Sequence, residues 1–79
     1  MADTQRPTEI PSERRFDGKK FHFHTYRYGS GARQELQSLG ERKKSWGAIQ
    51  AYRTERYTVM VRTESGRMER RTAWALFTR

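Results

Sequence analysis

An α+β fold, an antiparallel sheet packed on one helix, is predicted by three features of this 79-residue chain. Asp17-Gly18 stands between two stretches of strand-forming residues. Ala32, Leu36 and Leu39 recur at helical spacing, and from Ala48 onward the pattern returns to a period of two. Together they imply the order β-β-α-β-β-β in one small domain over residues 14–79, preceded by a disordered tail over residues 1–13.

The tail reading rests on composition. Residues 1–13 hold one large apolar side chain, Ile10, and two prolines, Pro7 and Pro11, that oppose regular structure. They are expected to bury nothing. Order is expected from Arg14, where Arg15-Phe16 and Lys19-Lys20-Phe21 flank Asp17-Gly18, a pair that tolerates the positive φ of a type I′ hairpin turn. The second strand, Lys20 to Tyr28, is dense in aromatic and β-prone residues and stops at Gly29-Ser30-Gly31.

Ser30 is placed to cap the helix that follows. Two ends for that helix are open. It either continues through Gly40 into Arg42, Lys43 and Lys44, whose charges suit the negative end of the helix dipole, or it stops at Gly40 and leaves those cations on a loop. Beyond it, Ala48 to Arg53 and Tyr57 to Arg62 read as antiparallel neighbours joined through Thr54-Glu55-Arg56. Ser65-Gly66 then marks a tight turn whose register sets Arg62 opposite Glu69. For residues 68–77 strand and helix are both open: Met, Glu, Arg, Ala and Leu favour a helix, whereas the turn and the charge pairing favour a strand, the reading taken.

This order resembles that of a group of small basic, mostly archaeal proteins. The matching residues are Phe16-Asp17-Gly18-Lys19, Ala32, the basic run Arg42-Lys43-Lys44 and the strand Tyr57-Thr58-Val59-Met60-Val61-Arg62. The likeness spans about residues 14–62 and leaves the last 17 residues unmatched. It implies the strand–helix–strand order and no particular activity.

Charge narrows the function. The chain carries a net +8, with −2 on residues 1–13 and +10, sixteen basic against six acidic side chains, on residues 14–79. Such a domain attracts polyanions. There is no cysteine, which excludes a disulfide framework, a thiolate zinc site and a cysteine nucleophile. No apolar run approaches the roughly 18 residues of a membrane span, and the N-terminus has no signal-peptide core. A cytoplasmic protein without a membrane partner is expected.

Alternation assigns Phe21, Phe23, Ile49, Ala51, Val59 and Val61 to the face that meets Ala32, Leu36 and Leu39, with Trp46 closing one end of that core. The opposite face then collects His22, His24, Tyr26, Tyr52 and Arg62, groups suited to stacking bases and holding phosphates. With Arg42, Lys43 and Lys44 these form the expected nucleic-acid site. His22 and His24 would stand roughly 7 Å apart on one strand face, but two ligands do not complete a metal site. No Ser–His–Asp arrangement appears, and Gly29-Ser30-Gly31 is followed by no Gly-Lys-Ser/Thr, so neither a catalytic residue nor a cofactor is expected. The expectation is a non-enzymatic protein that binds RNA or DNA with little regard to sequence. The alternative is an interaction domain that docks an acidic protein or pairs through a sheet edge.

Overall fold

In a computed structural model, residues 6–79 are described; any reading of residues 1–5 lies outside them. The order is β1 (Glu13–Phe16), β2 (Lys19–Tyr28), α1 (Ala32–Ser45), β3 (Tyr52–Arg62) and β4 (Met68–Thr78). The four strands form one antiparallel sheet in the order β1-β2-β4-β3. The α+β class and the sheet-on-helix arrangement are as expected, with four strands instead of five. No helix among the described residues is long and apolar enough to cross a membrane.

The turn chemistry explains the first hairpin. Asp17 and Gly18 have φ of 53° and 77°, both in the left-handed region of a type I′ turn, and Phe16 pairs with Lys19 across it. The expected break at Thr54-Glu55-Arg56 is absent, and β3 runs unbroken from Tyr52 to Arg62. Those three residues include no glycine or proline, and the alternation simply continues. Glu55 turns inward, where the guanidinium of Arg14 pairs with its carboxylate and also donates to the Tyr57 hydroxyl at 2.8 Å. At the far end, a five-residue turn joins β3 to β4, closed by the Thr63 amide donating to the Arg67 carbonyl at 2.8 Å. The register is therefore one residue from expectation: Arg62 faces Met68, and Glu69 faces Val61.

Two hydrophobic layers form on opposite faces of the sheet. The larger gathers Phe21, Val59, Ala73, Ala75 and Phe77, with Phe16, Phe23, Tyr26, Tyr57 and Val61 packed around it. It is not covered by the helix, as the alternation suggested, but by the curl of the sheet and by the N-terminal segment. Ile10, read from composition as part of a tail, has 0% of its surface exposed and belongs to this layer. Its neighbours are tied on both sides. The Phe23 amide donates to the Ser12 carbonyl at 2.8 Å, and the Glu9 carboxylate accepts the Met60 amide at 2.9 Å on the outer edge of β3. The segment thus crosses the concave face from one sheet edge to the other.

Helix α1 covers the other face. Ala32, Leu36 and Gly40 are buried on its inner stripe, opposite the fully buried Leu76. The helix does pass through Gly40. A Cβ there would lie 2.5 Å from two ring carbons of Tyr52, so only glycine admits the ring this close. The residue that ends the helix is Gly47, at φ 78°. Its amide donates to the Lys44 carbonyl at 3.0 Å while Ala48 donates to Lys43 at 2.9 Å, the two bonds of a Schellman cap. At the start, Gly31 rather than Ser30 holds the capping position, without a side-chain bond.

Candidate nucleic-acid interface

The cap at Gly47 determines what the last turn of α1 displays. Arg42 and Lys44 are exposed, Lys43 is half-buried, and all three sit where the helix dipole is negative. Trp46, the residue expected to close the core, is 70% exposed at the C-cap, two residues beyond Lys44. The core it was assigned to is already filled by Phe77 and Ile10, both fully buried.

Folding adds cations that are distant in sequence. Beside the Gly47 turn, Lys20, His22, Gln50 and Arg79 line a depression of about 510 Å³. Lys20 stands 3.6 Å from the carboxylate of Glu13, which compensates part of this charge, and the His22 imidazole lies 3.9 Å from the same carboxylate. His24 faces Lys43 and Arg27. Burial first, and then those two cations, hold its imidazole below the usual histidine range, which favours the neutral ring. Among the described residues, no three His, Cys, Asp or Glu side chains gather as they would around a metal ion.

The expected aromatic platform is not assembled. A bulge between Phe23 and Thr25 inserts one extra residue in β2, and beyond it the faces exchange. Tyr26 consequently pairs with Ala75 and lies on the curled, core side, its ring 5.4 Å from that of Tyr28. Tyr52 lies on the helix side, wedged under Gly40, with its hydroxyl donating to Glu41 at 2.7 Å. That bond and partial burial raise its pKa. The two tyrosines sit on opposite faces of the sheet, and neither presents a free ring beside Arg42, Lys43 and Lys44.

Arg62 belongs to a different surface. Where α1 leaves the sheet uncovered, β3 and β4 continue as a two-stranded ribbon. Its helix-side face carries the facing pairs Thr58–Thr72, Met60–Arg70 and Arg62–Met68, with Arg56–Trp74 at its base, where Trp74 still pairs with Arg27 of β2. By register no acidic residue falls on this face, and Glu69 of the reverse face borders it in a depression shared with Arg56 and Arg70. Met60 and Met68 are 44% and 53% exposed. Among the described residues Arg56, Arg62 and Arg70 make no ion pair, whereas Arg14, Arg27 and Arg53 are each paired to a carboxylate. At the ribbon's base Arg33 from α1 stacks over the Trp74 ring, 5.3 Å from its centroid, and Arg71 on the reverse face does the same over Tyr28 at 5.2 Å.

Arg56 and Arg70 were missed in the sequence because they lie 14 positions apart and only the β3–β4 register joins them. A count of acids on alternate positions would have found this face. Comparison with protein-family models, with curated proteins and with solved structures finds no match to this chain.

Proposed function

We propose that the protein binds nucleic acid without reading its sequence, and that the C-terminal end of α1 is one contact surface. The observation that carries this reading is Trp46, a large ring 70% exposed on the turn that follows three consecutive cations. A side chain of this size gains little from water, and single-stranded bases stack on indole regardless of their identity. Cations within one helical turn supply the phosphate contacts that such stacking needs.

The test is a titration of single-stranded RNA and DNA with tryptophan fluorescence and anisotropy as readouts. Trp46→Ala weakens binding by about 1–3 kcal/mol with little change in salt dependence. Replacing Arg42, Lys43 and Lys44 by alanine flattens the log–log salt slope by about 0.7 for each phosphate no longer neutralised. Absence of binding to any nucleic acid at about 100 μM in moderate salt overturns the reading, since this is weaker than ordinary non-specific association. Competition by poly-glutamate as effective as nucleic acid, with Trp46→Ala silent, favours an acidic protein partner in its place.

A further inference from the structure

The ribbon formed by β3 and β4 has no part in that surface. Its tip, at Thr63–Arg67, is at the opposite end of β3 from Tyr52, against which α1 packs, in a molecule 43 Å long. One of its faces is braced and the other is bare. The braced side holds the fully buried Val59, and the Glu9 carboxylate takes up the edge amide of Met60, so the ribbon is anchored as a rigid projection. On the bare side Arg56, Arg62 and Arg70 alternate with Thr58, Thr72, Met60 and Met68, all exposed and without an acid among them.

We propose that this face lies in the major groove of B-form duplex DNA. The inference rests on the nucleic-acid reading above and names the form of nucleic acid that the ribbon takes. Three physical points lead to it. The major groove is about 12 Å wide and admits two antiparallel strands, whose own spacing is about 5 Å. The two-stranded part, Thr58 to Arg62, spans roughly 13 Å of strand, the length of about four base pairs, with Arg56 at its base for a flanking phosphate. The chemistry of the face suits groove edges and flanking phosphates. Guanidinium groups meet the flanking phosphates, and threonine and methionine side chains line the groove without a fixed hydrogen-bond pattern, so the contact tolerates any sequence.

The same face is ill suited to the alternatives. Its one aromatic ring, Trp74, is half-buried and already covered by Arg33, so it offers no stacking platform for unpaired bases. The A-form major groove of duplex RNA is too deep and narrow for side chains to reach its base edges.

The experiment measures anisotropy of three labelled probes of equal length, duplex DNA, duplex RNA and single-stranded DNA, across a salt series. The wild type binds duplex DNA more tightly than duplex RNA. Changing Arg56, Arg62 and Arg70 together to alanine lowers duplex-DNA affinity at least about tenfold and reduces the salt slope by roughly 0.9 for each phosphate no longer neutralised, while single-strand binding is unchanged. The single variant Thr58→Glu, which places one carboxylate at the centre of the face, lowers duplex binding in the same way. The arginine-to-lysine triple variant keeps the salt slope, and circular dichroism confirms that each variant is folded.

Two results overturn the proposal. One is a triple alanine variant and a Thr58→Glu variant that both bind duplex DNA like the wild type. The other is duplex RNA bound as tightly as duplex DNA. If either occurs while single strands still bind in a Trp46-dependent way, only the ribbon assignment falls. If the wild type binds no probe at all, the broader reading falls with it.

Discussion

The ring of Tyr52 rests directly on the backbone of Gly40, two of its carbons 2.5 Å from where a Cβ would stand. The contact joins α1 to the first residue of β3, and the Tyr52 hydroxyl extends it by donating to Glu41 on the next helical position. A mid-helix glycine ordinarily costs about 1 kcal/mol relative to alanine. Here that cost is offset by close helix–sheet approach.

Gly40→Ala is therefore expected to destabilise the protein by about 1–3 kcal/mol, the usual penalty of overpacking a filled site, despite alanine's better helix propensity. In a Tyr52→Ala background the sign reverses, and Gly40→Ala stabilises by up to about 1 kcal/mol. Denaturant melts of the four proteins of this cycle check both statements. The same sign in both backgrounds would show that the ring does not restrain residue 40.

Ile10→Ala is expected to cost about 2–5 kcal/mol, because the side chain is wholly buried between the curled strands. In a domain of this size each 1 kcal/mol lowers Tm by about 4–8 °C. Truncation after residue 10 should be at least as damaging, since it also removes the Glu9 carboxylate from the Met60 amide. A Tm unchanged by either alteration would return residues 6–12 to the role of a tail.

Tyr57 provides a prediction in pH. Burial, and then its hydrogen bond to Glu55, push its pKa from 10.0 up to about 12, against the opposing charge of Arg14. Folding thus favours the neutral phenol. The associated stability is complete below about pH 10, where the unfolded chain is also neutral, and is lost as pH rises through about 12. Spectrophotometric titration should show one tyrosine ionising last, and the thermal stability of the wild type should fall across this window more steeply than that of Tyr57→Phe. Parallel profiles would show that the phenol is not shielded.

The local signals in the sequence were those that depend on neighbouring residues. Asp17-Gly18 announces its turn because both residues tolerate positive φ, and Ala32, Leu36 and Leu39 mark the helix by spacing alone. What eluded the sequence depends on partners far along the chain. Gly40 leaves the end of the helix open until Tyr52 is known to lie on it. Glu55 reads as part of a turn until Arg14, 41 positions away, is seen to pair with it. The site suffered most from a single inserted residue. The bulge at His24 moves Tyr26 to the opposite face, and no propensity or charge pattern encodes a bulge. Arg42 and Lys44 were legible as exposed because adjacent cations have few ways to be buried, whereas the half-burial of Lys43 between them was not.

The strand order has a consequence for synthesis. β4 is the last of the four strands, yet it lies between β2 and β3 and is the partner through which each joins the other half of the sheet. Translation delivers the chain from its N-terminus, at about 5–20 residues per second. Until residues 68–78 emerge from the ribosome, only the β1–β2 hairpin and α1 can form from what has been made, and Ile10, which precedes every strand, has no complete sheet to cover. The chain must therefore wait for its central strand and then fold in one late, cooperative step. A nascent chain arrested at Arg67 should be open to protease throughout, with resistance gained all at once when β4 is released.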